Sequence, residues 1–449
     1  MRYRLRDVAE IVEGVLLSGD PSAPVAGIST DSRTIEKGEL FFALEGENFD
    51  GVYFVKDALK KGACGAVVPQ SYQGPGPIIK VEDTLKALGK LAAHYRSHLK
   101  NTRVIGITGS VGKTTTKELL AHVLEARFSV KKSPKSFNNL VGVPLTLFSA
   151  DPQTEFLVAE AGISKIGEME KLAEILRPDI AILTRVGRAH VGYLRSTETI
   201  AREKSRLFEK LGRGGFAVVN AESPHYEIFV ESVPEGRDVI LYGLESGDFK
   251  PERYVLSGEG TEFVVEGHRY WLPRPGPGNL ENALAVLLVA LRLGMDPEEI
   301  AERFSSFQGP PMRMQRRKVG PFEVVNDAYN ANPDSMAELF RAFPETNSER
   351  NIFVLGDMLE LGEEAERLHR ETGRVFAETG HRILIAIGPL ARELARGARE
   401  AGADRVFSFL DLEEALEFLR EFLRPGDRIL LKASRLMEFE KIERALEEF

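Results

Sequence analysis

The 449-residue chain holds one cysteine, one tryptophan and no long apolar run, and each scarcity closes off a class of function. A lone thiol, Cys64, excludes an intrachain disulfide and a multi-thiolate metal centre. Within "KKGACGAVVP" it reads as a small core residue. No apolar stretch approaches the roughly 20 residues needed to span a bilayer, so no membrane insertion is expected. The opening "MRYRLRDVAEIVEG" is amphipathic and carries acids, unlike a secretory signal, so a cytoplasmic address is expected. Positive charge is also in deficit: 59 Lys and Arg stand against 68 Asp and Glu, a net charge of −9. A general nucleic-acid binder would need a basic face, so no nucleic-acid partner is expected. The only tryptophan, Trp271, reads as packing and not as a stacking platform.

What is present is an α/β alternation in three stretches. From residue 1 to about 100, "ELFFAL" (39–44) and "CGAVVP" (64–69) read as strands with a helical segment between them. "EDTLKALGKLAAHYRSHL" follows as an amphipathic helix that Asp83 or Thr84 can cap. From about 101 to 308, the strands "RVIGIT", "EFLVAEAG", "DIAILTRVG" and "FAVVN" alternate with helices in the rhythm of a parallel sheet. Residues 241–273 read as hairpins, and a long helix over "NLENALAVLLVALRLG" comes next. From about 309 to 449, "FEVVNDAY", "RNIFVLGDM", "RILIAIG", "RVFSF" and "DRILLKAS" predict a Rossmann-like unit. This last unit lacks G-x-G-x-x-G, so its fold does not itself imply a dinucleotide. The expected fold class is therefore α/β in three domains, with a central parallel-sheet domain carrying a phosphate loop.

That loop is "GITGSVGKTTTKE" (106–118). It lacks the spacing G-x-x-x-x-G-K-[ST] and keeps the shorter Gly109, Ser110, Val111, Gly112, Lys113, Thr114, Thr115 run. It follows the strand "RVIGIT" and opens a helix predicted from Lys113 to about Phe128. Backbone N–H groups and the positive helix terminus there suit phosphate. Lys113 can reach the outer phosphates, and Thr114 can offer a hydroxyl to Mg²⁺. Glu160 ends the next strand, where an acid beside a phosphate loop is placed to hold Mg²⁺; alone it could equally be a surface or capping acid. His190 follows a third strand in "RAHVG", a position as compatible with a structural histidine. Lys204 falls inside the apolar stripe Ile200, Leu207, Phe208, Leu211 of the helix "TIAREKSRLFEKLG". A lysine facing a core needs a partner, a lowered pKa, or a route out along its own stem. A neutral amine there can capture CO₂ as a carbamate, which reverses its charge.

Taken together, Thr114, Glu160, His190, Lys204 and the short phosphate loop resemble the Mur ligases, ATP-dependent amide-forming enzymes of peptidoglycan synthesis. The resemblance covers essentially the whole chain and implies a metal site of Thr114, Glu160, His190 and carbamylated Lys204, with ATP, two Mg²⁺ ions and CO₂ as cofactors. "GSVGKTTTKE", "FNNLVGVP" (137–144), "DAYNANPDS" (327–335) and "LGDMLELG" (355–362) look like the branch whose substrates are UDP-N-acetylmuramoyl-tripeptide and D-alanyl-D-alanine. A D-N-P-R acceptor motif of a sister branch is missing. By the same likeness, 1–100 binds the UDP substrate, 101–308 binds ATP, and 309–449 closes on ATP and receives the dipeptide. "STDSRTIEKGELFFALEGENFDG" resembles a uridine-nucleotide segment, which puts Ser32, Glu47, Asn48 and Phe49 near UDP. Asn138 and Asn139 would lie near the muramoyl peptide, their amides holding oxygens without adding charge, although a plain turn in "SFNNLVG" accounts for them as well. Asn279 and Asn282 match the helix start near adenine, and Arg313 and Asp327 match residues that close over ATP. A monomer is expected.

Two positions depart from the pattern. Gly278 stands where relatives often have histidine, and "EAGISKIGEME" lacks an Asn-His pair after the metal glutamate. Two other readings remain at this level: a folylpolyglutamate synthase-like ligase, and a P-loop ATPase that forms no amide. The UDP-type segment and "DAYNANP" argue against the first. The second leaves Lys204 unexplained.

Overall fold

The computed structural model describes residues 3–46, 49–188, 194, 196–344 and 350–449. Three α/β layers follow one another along the chain. The first is a five-stranded sheet in the order Val15–Ser18, Ile78–Val81, Gly65–Pro69, Glu39–Phe42, Gly27–Ser29. Only its Val15–Ser18 edge runs antiparallel. Its long helix, Thr84–His98, starts where Asp83 accepts a hydrogen bond from the Lys86 amide at 2.9 Å. That satisfies one of the donors a helix N-terminus leaves unpaired.

The second layer is all parallel, in the order Asp238–Tyr242, Phe216–Asn220, Ile180–Leu183, Arg103–Thr108, Phe156–Glu160, Val130–Lys132. Val104, Ile105 and Ile107 are fully buried because helices cover both faces of the central strand. On one face Leu119, Leu120 and Val123 of the helix Lys113–Leu124 pack with Leu284 and Leu287 of the helix Pro277–Arg292. On the other, Leu157 and Leu183 meet Leu172 and Leu207 from the helices Glu168–Leu176 and Thr197–Glu209. Each such leucine contributes about 1.5–3 kcal/mol of burial. An antiparallel three-stranded sheet, Arg253–Leu256, Thr261–Val265 and His268–Leu272, fills the predicted hairpin region. Trp271 lies on its open face, 38% exposed, over Gly260.

The phosphate-loop helix is shorter than the sequence predicts. It stops at Leu124, because Phe128 folds back edge-on against Phe156 with ring centroids 4.9 Å apart. That return feeds the strand Val130–Lys132, which the apolar pattern does not announce.

The third layer has the order Gln315–Val319, Phe322–Asn326, Arg428–Lys432, Asn351–Gly356, Ile383–Ile387, Arg405–Phe409. Five strands are parallel, and Gln315–Val319 pairs antiparallel at the edge. Its "QRRKV" sequence is polar enough to protect an open edge from further pairing.

Candidate active site

The phosphate loop leaves the carboxyl end of Arg103–Thr108 at the middle of the parallel sheet, where open α/β sheets bind ligands. Two of its glycines are required by geometry. Gly109 has φ +149° and Gly112 φ +88°, and a Cβ would stand 2.0 Å from Thr184 Oγ1 at the first and 2.4 Å from Asn282 Oδ1 at the second. The Lys113 ammonium donates to the Gly109 carbonyl at 2.7 Å, so the lysine lies back over its own loop. Burial pushes its pKa down to about 8, with Glu160 acting to raise it and Arg313 to lower it further. Thr114 Oγ1 lies 3.4 Å from Ser136 Oγ.

Glu160 ends the neighbouring strand and is fully buried. Its Oε2 accepts from Asn138 Nδ2 at 3.4 Å, while Oε1 has no hydrogen-bond partner. Oε1 does face the Lys117 ammonium at 3.3 Å. Lys117, one turn beyond Thr114, was not singled out in the sequence, and it is fully buried. Its ammonium donates to the Ser133 carbonyl at 2.7 Å and to the Lys135 carbonyl, and it pairs with Glu118 at 2.9 Å. It thereby ties the phosphate-loop helix to the 133–138 segment and to Glu160. No local pattern singles it out, because the groups that hold it come from residues 133, 135 and 160.

Lys204 is 2% exposed, inside the stripe that its spacing indicates. Burial, and then the positive charge of Lys113, push its pKa well below the ordinary lysine value. Both effects act against the ammonium and toward the neutral amine. His190 lies outside the described residues, as do Glu47 and Asn48.

Across the loop, the C-terminal layer closes a cleft of about 310 Å³. Its walls include Lys113, Thr114, Asn138 and Glu160 on one side and Arg313 and Asp327 on the other. Asn279 and Asn282 line it as well. The Arg313 guanidinium stacks on Tyr329, 4.3 Å from the ring centroid. Asp327 pairs with the buried Lys432 at 2.5 Å and accepts from the Met314 amide at 2.9 Å. Asn282 Oδ1 accepts from Thr116 Oγ1 at 3.1 Å, and Asn279 Nδ2 donates to the Pro275 carbonyl at 2.7 Å.

The linker between the two layers, which contains the Phe307–Pro311 stretch, is gripped by Arg274, another residue the sequence did not flag. Its guanidinium is buried and donates to the carbonyls of Gln308 and Met314, each at 3.2 Å, and of Arg313. Gly309, at φ +75°, has no room for a side chain against it.

Other sequence candidates fall outside the cleft walls. Asn139 Oδ1 accepts from the Val141 and Gly142 amides at 3.1 and 2.9 Å, which caps a short helix. Ser32 is buried in the N-terminal layer, its carbonyl bound by Lys61 at 2.8 Å. Phe49 is 60% exposed there. Gly278, by contrast, does line the cleft and directs its amide to Glu338 at 3.1 Å, a close contact that a larger residue would disturb.

The sequence matches three family descriptions: "Mur ligase family, catalytic domain" over residues 24–96, "Mur ligase middle domain" over 107–290, and "Mur ligase, glutamate ligase domain" over 312–435. It is 34% identical to the UDP-N-acetylmuramoyl-tripeptide–D-alanyl-D-alanine ligase of Bacillus subtilis, across 99% of this chain and 98% of that protein. The fold superposes on MurF from Acinetobacter baumannii with a TM-score of 0.91 and 28% identity, covering 100% of this chain and 99% of that one. MurF ligase from Thermotoga maritima in complex with ADP gives a TM-score of 0.80 at 28% identity, over 94% and 98% of the two chains.

Proposed function

The chain belongs to the Mur ligase family, and from that premise we propose that it is an ATP-dependent, ADP-forming ligase that joins D-alanyl-D-alanine to UDP-N-acetylmuramoyl-tripeptide in peptidoglycan precursor synthesis. The observation that carries this is the single cleft in which a phosphate loop faces Arg313 and Asp327 of the C-terminal layer. In the first step the terminal carboxylate of the tripeptide attacks the γ-phosphorus of ATP. The bond to the bridging oxygen breaks, ADP leaves, and an acyl phosphate remains. The amine of D-alanyl-D-alanine then attacks the acyl carbon, phosphate departs with the bonding pair, and the amine loses a proton.

Carboxylate and triphosphate repel, so the first step needs cations. Lys113 and Arg313 supply two from opposite walls. Mg²⁺, when bound, would neutralise phosphate charge and act as a Lewis acid. The residues fit it. The Thr114 hydroxyl and the Glu160 carboxylate are hard oxygen donors on one cleft, and Glu160 Oε1 is buried without a hydrogen bond. Among the described residues no cluster of three or more His, Cys, Asp or Glu could hold a metal alone. Phosphate oxygens and water would supply the remaining positions, as is usual for this ion. His190 is assigned to the same site by the family resemblance alone.

Lys204 is assigned as a carbamate: its neutral amine attacks CO₂ and releases a proton. Burial and Lys113 both disfavour the ammonium. The same Lys113 charge would favour the resulting anion, which orients a metal or Lys113 and does not act as a nucleophile. We assign the UDP substrate to residues 1–100, with Ser32, Glu47, Asn48 and Phe49 near the nucleotide and Asn138 and Asn139 toward the peptide. ATP is assigned to 101–308, and closure over it with dipeptide binding to 309–449. Among the described residues no helix is long and apolar enough to cross a membrane. A cytoplasmic monomer that serves cell-wall growth, cell shape and division accords with this reading.

The test is ADP release with each substrate omitted in turn. Release should require both the UDP-tripeptide and D-alanyl-D-alanine. Release independent of both would identify an ATPase, and release that requires a folate and glutamate would identify the sister activity.

A further inference from the structure

The phosphate loop rests on residues 184–188. The Ser110 amide donates to the Arg185 carbonyl at 2.7 Å, and the Ser110 hydroxyl to the Gly187 carbonyl at 3.1 Å. From the other direction the Thr184 hydroxyl donates to the Val111 carbonyl at 2.6 Å. The same five residues meet the C-terminal layer at two acids, Asp334 and Glu371. The Arg188 amide donates to Asp334 Oδ2, and the Arg188 guanidinium lies 3.6 Å from Asp334 Oδ1. That guanidinium also pairs with Glu371 at 2.7 Å. At Gly187 the approach is closest: a Cβ there would stand 2.5 Å from Asp334 Oδ2.

Asp334 is itself fixed. It lies in the first turn of the helix Pro333–Ala342, whose start is closed by a reciprocal cap between Asn332 and Ser335. An acid in that turn is favoured by the helix dipole, so its backbone and its charge are both at ease.

The geometry points to Asp334 as a positioning residue that braces the phosphate loop from across the cleft. It accepts from the Arg188 amide, the Gly187 carbonyl of that same peptide unit accepts from the Ser110 hydroxyl, and docking of the C-terminal layer thereby organises the loop that receives the nucleotide phosphates. The assignment rests on the nucleotide reading of the cleft and adds a residue to it.

The experiment is ADP binding to the full-length protein by calorimetry, together with amide hydrogen exchange over residues 105–116. Asp334→Ala should weaken ADP about tenfold or more, the scale of a lost charge-assisted hydrogen bond, and should speed exchange in the loop. Asp334→Asn keeps an acceptor for the Arg188 amide but not the charge, and should fall between. Gly187→Ala retains the carboxylate and obstructs the approach, so it should reproduce Asp334→Ala. Affinity for UDP-N-acetylmuramoyl-tripeptide should not change in any of the three. Wild-type ADP affinity and loop exchange in Asp334→Ala would overturn the assignment. So would a loss confined to Asp334→Ala and absent from Gly187→Ala, which would mean direct contact with the nucleotide. Failure of the unaltered protein to bind ADP would instead count against the ligase reading.

Discussion

Lys117→Met is the substitution with the most to say about how this site is built. The methionine nearly matches the lysine in length and removes only the ammonium. That ammonium serves the Ser133 and Lys135 carbonyls, Glu118 and Glu160. Glu118 is not stranded by the loss, because Lys132 still pairs with it at 2.7 Å. Glu160 is: it is fully buried, and its Oε1 has no hydrogen bond. Breaking a buried pair by removing one partner costs about 3–5 kcal/mol, since a charge is left uncompensated. For a unit of about 200 residues, 1 kcal/mol moves the melting temperature by about 2–4 °C, so the transition of the central unit should fall by roughly 6–20 °C. Scanning calorimetry checks this. The decisive comparison adds Glu160→Gln to Lys117→Met. If the stranded charge is the cause, the double variant should be more stable than Lys117→Met alone, against the usual sum of two damaging changes. A single variant melting within 2 °C of wild type, or a double variant that simply adds the two losses, would refute the reasoning.

Other outcomes can be read with simpler means. The Lys113 pKa, held near 8 in the free protein, should rise when phosphate binds, so ADP binding takes up a proton. Affinity should therefore be level below pH 8 and decline by up to tenfold per pH unit above it; isothermal titrations between pH 7 and 9.5 would show a flat profile if Lys113 does not meet the phosphates. In the free protein the depressed pKa runs the other way, disfavouring the fold fully below pH 8 and progressively less as pH rises toward 10.5. Lys204→Ala should abolish turnover, with partial recovery on adding a short carboxylic acid; wild-type turnover in that variant would dismiss the carbamate. Gly112→Ala should lose both nucleotide binding and turnover, because its φ of +88° costs a side chain about 1–2 kcal/mol before the clash with Asn282 is counted. Unaltered ADP affinity in Gly112→Ala would show that the loop adapts.

Much of the site was legible because it depends on local order. Strand, glycine-rich loop and helix are adjacent in sequence, so the loop "GSVGKTT" announces a phosphate site wherever such a strand and helix form. Lys204 was legible by its period, since a helix of 3.6 residues per turn carries it into the same stripe as Ile200 and Leu207. Lys117 was not, because the neighbours that make its burial tolerable are the carbonyls of 133 and 135 and a carboxylate at 160, distant in sequence. Arg274 escaped for the same reason: its partners are backbone carbonyls of the linker, and carbonyls carry no side-chain identity to read.

Four strands of the central sheet, their parallel rhythm with intervening helices and the chemistry of the phosphate loop follow from the sequence itself, through periodicity, glycine placement and the match of cation, hydroxyl and acid to a nucleotide, whereas the edge strands Val130–Lys132 and Asp238–Tyr242 do not. Only the tertiary structure decided that Arg313 and Asp327 face that loop across one cleft, that Arg274 fixes the linker between them, and that Asp334 meets Gly187. The physical reason is range: hydrogen bonds within a turn or a helix are set by neighbours in the chain, whereas contacts between layers depend on how whole sheets pack, and no short segment carries that information.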